Sequence, residues 1–111
     1  MTMLKTLATV AVAVVAIAPA VEMNESPFLG GYGHNAILKQ AAAIGGAGVI
    51  LIQGSDEIDE PASGDSSWTT TTTLNSASPL EQEITLSRWM RANVTVAGTA
   101  ANLLIQLKGV Q

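Results

Sequence analysis

Glu83 to Gln111, E-I-T-L-S-R-W-M-R-A-N-V-T-V-A-G-T-A-A-N-L-L-I-Q-L-K-G-V-Q, decides the fold class of this chain. Alternation places Met90, Ala92, Val94 and Val96 on one face and Trp89, Arg91, Asn93 and Thr95 on the other, the period of two of a half-buried strand. Ala97-Gly98-Thr99 reads as a tight turn in which Gly98 takes positive φ at little steric cost. A further strand follows, with Leu103, Ile105 and Leu107 on one side and Leu104, Gln106 and Lys108 on the other. The segment predicts a closing β-hairpin, and no catalytic motif accompanies it.

The composition points the same way. The chain has 111 residues, 48% of them apolar, which suits one domain over residues 1–111 burying roughly two thirds of its unfolded surface. The apolar residues are mostly Ala, Val, Ile and Leu, with two Trp, one Tyr and one Phe, so the expected core is thin and suited to stacked sheets. Charged residues make up 13% and the net charge is −4. The five basic residues are scattered apart from Arg88 and Arg91, which argues against a nucleic-acid partner, since displacing phosphate counterions takes clustered cations. Cysteine is absent, which removes disulfides, thiolate metal sites and a cysteine nucleophile. With few charges and many small apolar side chains, part of the apolar surface is expected to lie under a partner.

Met1 to Ala20 has two readings. Lys5, the apolar stretch Thr6 to Ala18 and Ala18-Pro19-Ala20 imitate a secretory signal peptide. Val10, Val12 and Val14, however, alternate with Thr9, Ala11 and Ala13, and β-branched residues in alternation favour a strand because they lose χ1 freedom in a helix. A strand or ordered arm over residues 1–20, with a sandwich body over 21–111, is the favoured reading. The apolar phase shifts at Val14-Val15, which predicts a bulge or a strand buried on both faces. The stretch is too short and interrupted for a membrane span of about 20 apolar residues, so no membrane partner is expected.

Val21 to Met23 extends the first β-element until Asn24-Glu25-Ser26-Pro27 breaks it. Phe28 to Gly33 reads as a flexible loop, lacking the strand-then-helix setting of phosphate-binding glycines. His34, the only histidine, reads as a loop or strand-edge residue, because no cysteine or suitably spaced carboxylate joins it as a metal ligand. Residues 35–43 fit helix or strand; strand is favoured because Gly45, Gly46 and Gly48 then make a hairpin-like turn into Val49-Ile50-Leu51-Ile52, the expected central strand. Asp56 to Asp65 carries five carboxylates. They offer the hard oxygens calcium takes, but their spacing matches no EF-hand, and a solvated loop is the simpler reading. Trp68, Thr70, Thr72 and Leu74 share one face of a threonine-rich strand, and Leu80 to Leu86 leads into the final strands. The total is an all-β chain of about seven to eight antiparallel strands, a β-sandwich or jelly roll. One histidine, no cysteine and no nucleophile elbow leave no triad, so neither an enzyme nor a cofactor is expected.

Taken in order, G-V-I-L-I-Q-G-S-D-E (Gly48 to Glu57), S-S-W-T-T-T (Ser66 to Thr71), Glu83 to Thr99 and L-L-I-Q-L-K-G (Leu103 to Gly109) resemble the small β-sandwich virion proteins of tailed bacteriophages. Among these, capsid decoration or cement proteins are the most similar in size. The resemblance implies a homotrimer or homodimer on the outside of a phage head, bound to the major capsid protein and tying capsomers together. It carries over no individual functional residue. The Ala/Val-rich start departs from the simplest pattern and is the expected arm or swapped strand, reaching a neighbour by strand addition. The expected interface residues are Val10, Val12 and Val14 on that arm, with Trp68, Arg88, Trp89 and Arg91, because Trp and Arg anchor interfaces disproportionately. The alternative for these is structural: Trp89 caps a sheet and Arg91 pairs with Glu81 or Glu83. If Met1 to Ala20 is a signal peptide, a different class follows, a secreted carbohydrate-binding or adhesion module with Trp68, Trp89 and Tyr32 as a sugar-stacking platform.

Overall fold

The computed structural model describes the chain except Met1, Ser26, Tyr32, Ala101 and Gln111, and of Thr2 and Val110 the backbone alone. It is all-β, with no helix among the described residues. Eleven strands are present there rather than seven or eight: β1 (Thr2–Val10), β2 (Ala16–Ile17), β3 (Val21–Glu22), β4 (Asn24–Glu25), β5 (Phe28–Leu29), β6 (Asn35–Gln40), β7 (Val49–Ser55), β8 (Thr69–Leu74), β9 (Glu81–Thr85), β10 (Trp89–Val96) and β11 (Leu103–Val110). The excess comes from β2 to β5, which have two residues each and are too short for alternation to be legible.

One sheet has the order β1-β11-β6-β9 and the other the order β2-β10-β7-β8, with β3 also on β10; β4 and β5 form a separate ribbon. All pairings are antiparallel. Alternation within the long strands aims one face of each sheet at a shared interior. Leu103, Ile105 and Leu107 of β11 and Leu38 of β6 meet there with Ile50 and Ile52 of β7 and Met90, Ala92 and Val94 of β10, all nearly inaccessible to solvent. Removing the Leu, Ile, Val and Met side chains from water contributes roughly 1.5–3 kcal/mol each.

The expected closing hairpin does not form. β10 and β11 lie in different sheets, so Ala97 to Asn102 carries the chain across the end of the core. Gly98 is not at positive φ. A Cβ there would stand 2.8 Å from Val12 Cγ1 and 2.9 Å from Gly45 O, while the Gly98 amide donates to Val12 O at 2.9 Å, so close approach demands the glycine. Residues 45–48 likewise cross between sheets instead of making a hairpin, and here Gly45 and Gly46 do adopt positive φ, 80° and 58°. Val96 leaves the buried face because a bulge between Val94 and Val96 breaks the period.

Residues 35–40 are strand, paired on both sides. Phe28 is core rather than flexible loop: β4 and β5 fold back on each other and set its ring against Gly109. The largest correction concerns the N-terminus. β1 pairs with β11 of its own chain from Thr2 opposite Val110 to Val10 opposite Leu103, so it is not an arm free to reach a neighbour. Its bulge lies between Thr6 and Ala8, not at Val14-Val15, and switches the inward phase so that Ala8 and Val10 face the core.

Gly98→Ala is expected to lower the free energy of unfolding by about 1–3 kcal/mol, seen as a fall in the urea midpoint at unchanged m-value. Gly64→Ala, where an added Cβ meets nothing within 4 Å, is expected to change stability by less than about 0.5 kcal/mol or to raise it slightly.

Candidate functional site

Between β1 and β2 the chain must pass from one sheet to the other. Val12 fills the gap and is fully buried, and a turn closed by the Val14 amide on Ala11 O then throws the next side chains outward. Val14 is 57% exposed, Val15 62% and Ile17 43%. The run Ala11 to Ala20, A-V-A-V-V-A-I-A-P-A, carries no charge, and its exposed side chains present apolar surface of the kind that marks a docking site. It borders a shallow groove of about 260 Å³ against Val94 of β10. β2 pairs only with β10 among the described residues, which leaves its outer backbone edge open.

The groove continues into a depression of about 400 Å³ bounded by Ile17, Pro19, Glu60, Trp68 and Arg91. Arg91 is 5% exposed although it belongs to the polar face of β10. Its Nε donates to Oε1 of Gln53, the residue opposite it on β7, at 2.9 Å, and its Nη1 donates to Ser63 O at 3.0 Å. The guanidinium carbon lies 4.1 Å from the centroid of Trp68, whose Nε1 donates to Ala62 O at 2.9 Å. Burial pulls the guanidinium below its usual pKa, yet arginine stays charged at any physiological pH. Its partners are neutral: Glu81 pairs instead with Lys108, at 3.6 Å, and no ion pair joins Arg91 to a carboxylate among the described residues.

These contacts explain the acidic loop. Its charges are exposed, but its backbone folds onto the outer face of the second sheet, held by Arg91, Trp68 and the 2.8 Å hydrogen bond between Ser55 Oγ and Ser67 Oγ. Within it, Ser67 N donates to Asp65 Oδ1 at 2.8 Å and holds that carboxyl below the ordinary aspartate range.

Of the expected interface residues, Val10 and Val12 are consumed by the chain's own core, and only Val14 is prominently exposed. Trp68 and Arg91 are brought together as a stacked pair, so one face of the indole is already occupied. Arg88 is half-buried, and its Nη2 pairs with Glu22 Oε2 at 2.8 Å. Trp89 is half-buried beside Glu22 and Ser55, and its Nε1 is buried without a partner among the described residues. Tyr32 lies outside the described residues. Missed were Val15, Ile17 and Pro19, although the uncharged run containing them was the available signal, and Gln53 and Ser63, for which no local signal exists. Comparison with family models, curated proteins and solved structures finds no match to this chain.

Arg91→Met leaves Gln53 and Ser63 short of a donor and is expected to cost about 1–3 kcal/mol in urea unfolding, with Arg91→Lys recovering only part because it lacks the planar fork. Asp65 steadies its loop fully above the ordinary aspartate range, and that contribution is lost as pH falls through its lowered folded pKa. The Ser67 amide resonance is therefore expected to shift during acid titration with a midpoint below that of an unperturbed aspartate.

Proposed function

We propose that this chain is a structural virion protein, a decoration or cement protein that sits on the outside of a bacteriophage head and ties neighbouring capsomers together. Its two main sheets are read, with the shared core between them, as a β-sandwich. The observation that carries the proposal is the exposure of Val14, Val15 and Ile17 in the uncharged run Ala11 to Ala20, on a body whose core residues are already covered. Apolar surface of this kind calls for a partner, and a reaction has no evident place in it.

The mechanism is burial plus strand addition. Val14, Val15 and Ile17 press against the major capsid protein, each contributing roughly 1–2 kcal/mol before ordering costs, because each is already about half covered. The open edge of β2 supplies backbone groups for an extended segment of the partner. Self-association into a dimer or trimer on the head then raises the effective concentration of each contact, so modest individual affinities hold a shell together. This differs from a swapped first strand, because β1 is already paired within its own chain.

Deletion of Met1 to Ala20 would remove β1 and is expected to abolish cooperative unfolding, so charge placed on the exposed run is the sharper test. Val14→Asp combined with Val15→Asp is expected to leave thermal unfolding unchanged and to lower occupancy on purified heads at least about tenfold in sedimentation assays. Wild-type occupancy by the double variant would refute the proposal.

A further inference from the structure

We propose that the depression between Pro19 and Trp68 receives a carboxylate side chain from an extended segment of a partner protein, with Arg91 as its ligand. The inference rests on this face being a protein-docking surface and names the chemistry that the docked segment must bring.

A guanidinium has five N–H donors. Arg91 uses one on Nε and one on Nη1. Its Nη2 makes no hydrogen bond among the described residues, and the buried nitrogens lacking a partner there are Arg88 Nε and Trp89 Nε1. Arg91 lines the depression, and Nη2 is the end of its guanidinium without a partner among the described residues. A cation this buried, held by a glutamine oxygen, a backbone carbonyl and an indole face, lacks the counter-charge that ordinarily offsets its desolvation. An incoming carboxylate supplies it, and a guanidinium edge suits a carboxylate in geometry as well as charge.

The opening has a sequence cause. β2 ends at Ile17 and β3 resumes at Val21, opposite Met90, so the chain leaves the edge of β10 beside Arg91. Pro19 stands in that gap and has no N–H to donate to the ladder. The break leaves Pro19 and Arg91 lining the same depression. Ile17, Pro19 and the indole of Trp68 are apolar walls that exclude water around the pair and strengthen it. The free edge of β2 alongside aligns an extended chain whose side chain points into the depression. Glu60 stands exposed on the rim and repels every incoming negative charge, so the cost grows with each carboxylate beyond the one Arg91 takes. The site therefore selects a single acidic residue flanked by apolar ones over an acidic run.

The test is an NMR titration of the full isotope-labelled chain with two peptides, Ac-Val-Glu-Val-NH2 and Ac-Val-Gln-Val-NH2. The glutamate peptide is expected to shift the Arg91 Nε–H and Trp68 Nε1–H resonances saturably and to bind about tenfold tighter than the glutamine peptide, with the difference shrinking as salt is raised. Glu60→Gln, on the exposed rim, is expected to tighten the glutamate peptide further. Equal affinity for the two peptides, no saturable shift with either, or weaker binding in Glu60→Gln would overturn the inference. Because the titration needs no phage head, its failure is distinguishable from failure of the head-binding experiment.

Discussion

The pairing of the first strand with the last is the constraint from which the rest of the structure follows. β1 and β11 run antiparallel along almost their whole lengths, joining segments about a hundred positions apart in sequence. That pairing puts β11 inside its sheet, between β1 and β6, and so turns Leu103, Ile105 and Leu107 into the centre of one wall of the core. Closing so long a loop costs chain entropy, and the return comes only when the second sheet covers the exposed apolar face. The fold is accordingly cooperative: neither sheet has a reason to exist without the other.

A second consequence is the surface. Of the connections between successive long strands, those from β6 to β7, β8 to β9, β9 to β10 and β10 to β11 all change sheet, as does the N-terminal passage from β1 to β2. Crossing segments must bridge the open ends of the core, which is why Val12 and Ile44 are fully buried outside any strand and why Gly98 tolerates no side chain. The crossings at residues 41–48, 75–80 and 97–102 are uncharged as well, but the first leaves three large apolar side chains, Val14, Val15 and Ile17, exposed. Val12 satisfies the core, and the remainder is left in water. The proposed role in binding a capsid surface is a reading of that excess.

Arg91 shows how a polar face acquires an interior of its own. Its Nε and the Asn93 Nδ2 both donate to Gln53 Oε1, and the loop after β7 closes over the guanidinium with a carbonyl and an indole. Neutral acceptors and a ring face compensate burial only in part, since a counter-ion is missing. A structural arginine at such a place is ordinarily matched to a carboxylate, and the loop that covers it holds five acidic residues, none of which takes that position. The unused donor and the gap at Pro19 coincide, which is the basis for reading the depression as a receptor.

Alternation by itself determined that β10 and β11 are strands and, up to the bulge before Val96, which of their side chains face inward, because the period of two is a local property of the pleated backbone; β7 was legible from its apolar run. The identity of the core residues Met90, Ala92, Val94, Leu103, Ile105 and Leu107 was legible for that reason. Pairing was not: a strand's pattern states which face is buried and says nothing about which strand lies beside it, so a hairpin was expected where a sheet-to-sheet crossing occurs. Two-residue strands carry no period at all. The burial of Arg91, the stacking of Trp68 and the exposure of Val14, Val15 and Ile17 were decided by tertiary structure alone, because each depends on what a distant loop or strand covers and what it leaves open to water.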